Sequence, residues 1–312
     1  MASRRISLLT MVLVPAMFAA TTAGEVAMEA LTTEHFRLHL AMSRSDQGRQ
    51  TVLDLEALWR QYLATVGGMV PPHSPRRRLE VFAYEGSEGL RALRRDMPDL
   101  VTGESPFPGL LALPDQLLVA VDGAGLLARS DVAVLFHGVS HLMHDAVLYD
   151  EGVNGSWWVR EGIATYLMQT VYRKDRSFSV GRVRSSEGYI TDVSPAGRVA
   201  ATISFAEEPK KSLDALRDAY SKGQHVPLAT LLDHAADEPW PDPVQRDRAA
   251  VESWVLIHFL LHGPEASLRP RLARFLALER KGEGGSEAFR RVVSGELERL
   301  QPMVFRYTRK MR

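Results

Sequence analysis

A pair of histidines in an otherwise apolar segment places the strongest constraint on the fold. His137 and His141 stand within V-L-F-H-G-V-S-H-L-M, and the apolar residues around them predict a buried helix over about 130–148. Residues four positions apart lie about 40° apart around a helix axis, so both imidazoles project from one face. Because buried polar groups are costly unless they are partnered, the fold must bring a partner to this face.

A divalent metal ion would partner both imidazoles at once, and a third ligand is available downstream. Glu161 follows His141 by 20 residues, in the stretch W-W-V-R-E-G-I-A-T-Y, which predicts a second helix over about 157–173. The usual motif is H-E-x-x-H, whose glutamate is the general base that takes a proton from the metal-bound water. Gly138 occupies that position here. The sequence therefore predicts a metal site that lacks its usual base.

Other interpretations of these residues stay open at the level of sequence. The histidines could be core residues bonded to backbone or water, although the downstream glutamate favours a metal. His144 falls on the same face and would be either a support for a ligand or a fourth ligand, and a fourth ligand would close the site. Asp145, Asp150 and Glu151 are the nearby candidates for a replacement base.

The order of the predicted elements indicates an α+β fold, in which a small β-rich lobe precedes a mainly helical lobe. Four prolines favour an extended loop over 98–116. The predicted domains are a lobe over 24–125 and a mainly helical lobe over 126–312, with the metal motif near their junction. Strands are predicted over 35–42, 79–84 and 117–121, and a hairpin within 175–205. Further helices are predicted over 50–66, 87–95, 211–220, 226–236, 246–262, 266–280 and 286–308.

Composition excludes some partners and restricts the metal ligands. Thirty-eight basic and 38 acidic residues cancel, so no strong field favours nucleic acid or an anionic membrane. The arginines are scattered along the sequence, which argues against phosphate recognition. The chain has no cysteine, so a zinc site must use histidine, aspartate or glutamate.

The first 23 residues are typical of a secretory signal peptide. Arg4 and Arg5 precede the apolar run 6–20, and small residues follow it. The run is shorter than the ~20 residues that span a bilayer, so no stable membrane span is expected after cleavage. The sequence predicts an exported protein, periplasmic or secreted.

The two motifs, V-L-F-H-G-V-S-H-L-M-H and W-W-V-R-E-G-I-A-T-Y-L, together resemble the gluzincin clan of zinc metallopeptidases. Within that clan, the resemblance is to the bacterial peptidase-MA-like group, also known as the DUF1570 group. T-E-H-F-R-L-H near residue 33, E-S-W-V-L-I-H-F-L-L from residue 252 and E-A-F from residue 287 also agree with it. The resemblance therefore covers most of the chain after residue 23.

The resemblance implies a zincin-like fold, a zinc cofactor and a peptide or protein substrate or ligand. It implies that His137, His141 and Glu161 are the zinc ligands and that strand 117–121 is the edge strand along which a peptide lies. Thr165 stands where many members carry an acid that supports a ligand histidine. Tyr166 is expected either to face the site or to pack against neighbouring helices.

The missing base leads to the main functional hypothesis, a zinc-binding protein that is catalytically impaired or inactive. Loss of a general base removes on the order of 10²–10⁴ in rate. A working metallopeptidase that uses another base, and a peptide-binding or protein-binding module without metal, are the alternatives. A single-base change in a glutamate codon would also place glycine at position 138.

Overall fold

The chain folds into an N-terminal mixed sheet followed by a mainly helical region. The computed structural model describes residues 28–41, 45–73, 75, 77–84, 110–113, 118–122, 132–150, 152–173, 175–183, 209–235 and 238–311. Strands come first and helices follow, which confirms the predicted α+β class. The predicted signal peptide, the predicted helix over 87–95 and the proposed lobe boundary at 125/126 lie outside the described residues.

The N-terminal sheet contains five described strands in the order β1-β2-β3-β5-β4. The three inner strands are parallel to one another, whereas β1 and β4 pair antiparallel at the two edges. The strands are β1 Met28–Thr32, β2 Phe36–Ala41, β3 Leu79–Tyr84, β4 Leu110–Leu113 and β5 Leu118–Asp122.

The position of β5 corrects the prediction that strand 117–121 is an edge strand. In the described sheet β5 lies between β3 and β4, and its backbone pairs with both. The edge is β4, which lies within the segment 98–116 that was predicted as an extended loop. Pro108 and Pro114 flank this short apolar run without interrupting its ladder, so the density of prolines was a misleading signal.

One helix packs against the β1–β2 side of this sheet. Helix α1, Ser45–Tyr62, continues as a π-helical turn, Leu63–Gly67. Its buried residues recur at helical spacing, and the apolar residues of β2 alternate with polar ones, as a half-buried strand requires. The side chains that meet at this interface are Phe36, Leu38, Leu40, Leu55, Leu58, Trp59, Tyr62, Leu79 and Val81.

The helical region matches the predicted segments closely, with one break. The helix predicted over 286–308 is divided by residues 293–296 into two shorter helices. A short hairpin is formed by β6 Thr170–Tyr172 and β7 Phe178–Val183. Its first strand lies within the helix predicted over 157–173, and only its second strand falls within 175–205, where a hairpin was expected. The helices are α2 Val132–Met143, α3 Trp157–Gln169, α4 Pro209–Ser221, α5 Leu228–Asp233, α6 Pro243–His262, α7 Leu268–Glu279, α8 Ser286–Val292 and α9 Leu297–Tyr307.

Three central helices, α2, α3 and α6, are buried along most of their length. Buried apolar side chains run from the sheet through these helices to the C-terminal ones in one continuous cluster. A Cβ atom added at Gly162 would lie 2.7 Å from the Ser253 carbonyl oxygen, so glycine permits the close crossing of α3 and α6. Among the described residues, no helix is both long enough and apolar enough to cross a membrane.

Candidate metal centre

Helix α2 places the two histidines of the motif side by side in the interior. The Nε2 atoms of His137 and His141 are 3.1 Å apart, and their ring centroids are separated by 4.8 Å. The His137 side chain is 1% exposed and that of His141 is 18% exposed. Both rings therefore project from one helix face, as their spacing predicts.

Helix α3 brings Glu161 to the same point. Its Oε1 atom lies 3.4 Å from His137 Nε2, and its Oε2 atom lies 3.6 Å from His141 Nε2. The candidate ligand atoms of the three residues all lie within 4.8 Å of one another. The structure thus brings together the three residues that were predicted as ligands, and it does so from two different helices. We refer to His137, His141 and Glu161 as the His-His-Glu cluster.

Burial controls the protonation of the His-His-Glu cluster. Desolvation lowers the pKa of His137 to about 3 and holds the pKa of His141 well below its usual range. The same desolvation raises the pKa of Glu161 to about 7, because the carboxylate loses its hydration. Both imidazoles are therefore neutral near pH 7, which is the form that binds a metal.

The cluster fits a divalent ion such as zinc in chemistry and in spacing. Imidazole nitrogen and carboxylate oxygen are both common zinc ligands. Ligand atoms about 2.0–2.2 Å from a tetrahedral ion lie roughly 3.3–3.6 Å from one another. The Nε2–Nε2 distance of 3.1 Å is close to that range. So are the shortest approaches of the two carboxylate oxygens, Oε1 to His137 at 3.4 Å and Oε2 to His141 at 3.6 Å. Three protein ligands would leave a fourth position open, which is the pattern of catalytic zinc sites.

Both nitrogens of His144 are engaged outside the cluster. Its Nε2–H donates to the Arg160 carbonyl oxygen at 3.0 Å, which leaves Nδ1 to accept from the Tyr62 hydroxyl at 2.8 Å. Because a carbonyl oxygen can only accept, this network fixes the tautomer of the ring. His144 thus ties α1, the end of α2 and the first turn of α3 together, and it does not supply a fourth ligand in this arrangement.

The nearby acids are held in ion pairs away from the cluster. Asp145 forms two hydrogen bonds with Arg160, at 2.9 and 2.8 Å, which join the π-helical turn after α2 to α3. Asp150 is bonded to His73 and Arg280, and these contacts lower the pKa of its carboxyl group. Glu151 lies outside the described residues. The structure therefore gives the two described acids positioning roles.

Thr165 and Tyr166 turn out to face different neighbours. Thr165 is fully buried one turn after Glu161, and its hydroxyl donates to Glu161 Oε1 at 3.4 Å. Tyr166 packs against α6, where its hydroxyl oxygen lies 2.9 Å from His262 Nε2. Thr165 thus contacts a candidate ligand, whereas the Tyr166 hydroxyl points to the interface between α3 and α6.

Two residues near the cluster were missed by sequence reasoning. Arg246 and Asp247, in α6, act electrostatically on Glu161: the guanidinium lowers the pKa of its carboxyl group, and the aspartate raises it. They form an ion pair with each other at 3.2 Å, and burial raises the pKa of Asp247. They stand 85 and 86 residues after Glu161, so no local pattern could have connected them.

Gly138 is buried within α2, next to the first histidine of the cluster. Glu161 is the only described acid whose carboxylate lies together with the imidazoles of His137 and His141. The position that carries the base in H-E-x-x-H sites thus offers no proton acceptor.

Comparison with known proteins gives a distant structural likeness. No family model matches the sequence, and no curated protein matches it. The chain is similar to the solved structure of yeast LTA4 hydrolase in complex with bestatin, with a TM-score of 0.44 and 12% sequence identity. The match covers 90% of this chain and 39% of that one, so the chain spans about two fifths of the length of its structural neighbour.

Proposed function

We propose that this chain is an exported zinc-metallopeptidase-like protein of the peptidase-MA-like group that binds zinc and hydrolyses peptides poorly or not at all. The observation that supports the zinc site is the convergence of two neutral imidazoles and one carboxylate at distances of 3.1–3.6 Å. The motif resemblance supports the peptidase-like origin and a peptide or protein partner.

The proposed loss of activity rests on the chemistry around Gly138. Zinc, when bound, supplies Lewis-acid polarisation and lowers the pKa of a water ligand toward ~7. His137, His141 and Glu161 would hold it, while Thr165 donates a hydrogen bond to Glu161. Gly138 has no side chain to accept the proton of the attacking water, and Asp145 is committed to Arg160. Peptide binding without efficient hydrolysis follows.

Metal analysis of the purified protein tests the zinc site directly. After expression in zinc-replete medium, mass spectrometry should find about one zinc ion per chain, as three protein ligands predict. His141→Ala and Glu161→Gln should each lower that content strongly, the second without a change in side-chain size. His262→Gln is the matched control, because His258 and His262 form a second pair four residues apart that lacks a clustered carboxylate. Substoichiometric zinc in the unaltered protein would refute the proposal.

Restoring the base tests the proposed cause of inactivity. Gly138→Glu recreates H-E-x-x-H, and we expect peptide hydrolysis to rise by about 10²–10⁴ over the unaltered protein. The assay is cleavage of a mixed fluorogenic peptide library, with and without a chelator. Gly138→Gln is the matched control, since it adds similar bulk without a carboxylate. No gain despite bound zinc would contradict the idea that only the base is missing.

A working peptidase with a different base is the second candidate function, and Asp247 is the candidate base to test. Its carboxylate acts electrostatically on Glu161, and burial raises its own pKa. This alternative predicts chelator-sensitive cleavage by the unaltered protein, which Asp247→Asn abolishes while zinc content is retained. Chelator-sensitive cleavage that survives Asp247→Asn would exclude Asp247 as the base.

Export is proposed from the signal-like residues 1–23. Cell fractionation should find the protein outside the cytoplasm, with an amino terminus close to residue 24 by Edman sequencing. Recovery of the full-length chain from the cytoplasm alone would contradict this part of the proposal.

A further inference from the structure

Five arginines from three helices, all within residues 271–299, meet at one cleft among the C-terminal helices. The cleft encloses about 620 Å³ and lies between α7, α8 and α9, none of which carries a residue of the His-His-Glu cluster. This volume is within the range of small-molecule sites, roughly 300–1,000 Å³. We call it the arginine cleft, after Arg271, Arg274, Arg290, Arg291 and Arg299, which line it.

The charge of the arginine cleft is unbalanced. Two acids also line it, Glu265 and Glu296, and Glu296 is paired with Arg299 at 2.8 Å. Arg274, Arg290 and Arg291 are exposed, and none of their side chains forms an ion pair or hydrogen bond with any residue that the structure describes. Like charges that face one cleft repel one another, so an anion that enters relieves this repulsion.

One arginine is already held in place at the cleft. Arg271 is half-buried, and its Nη1 donates to the Val293 carbonyl oxygen at 3.1 Å, which links α7 to the segment after α8. A guanidinium has five N–H donors in a rigid fork, so this bond leaves donors for a phosphate or carboxylate.

The lining is not uniformly polar. Two half-buried apolar side chains, Val292 and Met303, line the cleft together with the arginines. A ligand that fits both parts has an apolar group and a charged end. We propose that the arginine cleft binds a small organic anion that carries an apolar group and a dianionic phosphate or a pair of carboxylates.

Calorimetric titration of the full chain with 1-naphthyl phosphate tests the assignment, with inorganic phosphate as the probe that lacks the apolar group. Saturable binding should be tighter for 1-naphthyl phosphate than for inorganic phosphate. It should weaken as sodium chloride is raised, because salt screens exposed charges. Replacing Arg274, Arg290 and Arg291 together by glutamine should weaken it roughly tenfold or more.

Two controls separate this site from the proposed zinc site and from general surface charge. Replacing Arg173, Arg182 and Arg309 by glutamine makes the same charge change at exposed positions outside the cleft and should leave the affinity unchanged. His141→Ala, which disrupts the zinc site, should also leave it unchanged. The inference is overturned by absence of saturable binding, by equal weakening in the control triple variant, or by loss of binding in His141→Ala. Binding only to acidic phospholipid vesicles or heparin, and not to the small anions, would overturn it as well.

Discussion

Replacing Gly162 with alanine tests how the glutamate helix α3 is seated against α6. The new methyl group would lie 2.7 Å from the Ser253 carbonyl oxygen and 2.8 Å from Ile257 Cγ1. A backbone oxygen cannot turn away as a flexible side chain can, so the two helices must separate by several tenths of an ångström. Overpacking of this kind costs about 1–3 kcal/mol. The helix preference for alanine offsets about 1 kcal/mol of that cost.

Gly67→Ala is a matched control, because it makes the same glycine-to-alanine change in helical backbone without a steric clash. The alanine methyl would meet Leu63 and Pro72 at 3.5–3.7 Å, which is ordinary van der Waals contact. In urea unfolding, the Gly162→Ala protein should therefore be less stable than the Gly67→Ala protein by about 1–3 kcal/mol, which is the cost of overpacking alone. Equal stability of the two variants, or a more stable Gly162→Ala protein, would refute the close crossing of α3 and α6.

Three further changes have expected outcomes. Tyr62→Phe leaves the buried Nδ1 of His144 without its donor and should lower the free energy of unfolding by about 1–3 kcal/mol, while zinc content measured by mass spectrometry stays unchanged. Asp145→Asn removes the charge that partners Arg160 and should cost about 1–3 kcal/mol in the same urea assay; an unchanged midpoint would show that the pair is not needed. Burial raises the pKa of Glu252 from its ordinary 4.5 to about 8, so the folded chain retains a proton that the unfolded chain releases. That contribution to stability is complete below pH 4.5 and is lost as the pH rises through about 8. Glu252→Gln should therefore flatten the fall in stability between pH 5.5 and 8.5, and an unaltered pH profile would contradict the shifted pKa.

Local patterns predicted most of the helices and the three residues of the His-His-Glu cluster. The apolar run around His137 and the spacing of His141 depend only on helical periodicity, which neighbouring residues determine. The strand at Leu110–Leu113 was missed. The prolines on either side of it favour a loop, whereas its pairing with β5 makes it a strand. Propensity alone cannot decide whether a proline-flanked apolar run pairs with another strand.

The chemical roles of nearby polar residues depended on contacts made at long range in the sequence. From its position in the helix, His144 could be either a fourth ligand or a support for a ligand. The hydrogen bonds of its two nitrogens to Tyr62 and to the Arg160 carbonyl favour the supporting role. The spacing of residues along one helix cannot reveal a donor that arrives from another helix.

Residue identity and a repeat of 3.6 residues per turn were enough to predict the helix that carries His137 and His141, the glutamate best placed to join them and the missing base at position 138. The tertiary structure was needed for the distances across the His-His-Glu cluster, the electrostatic action of Asp247 on Glu161 and the meeting of five arginines at one cleft. These features depend on how different helices pack against one another, because burial and helix crossing, not local preference, set that geometry.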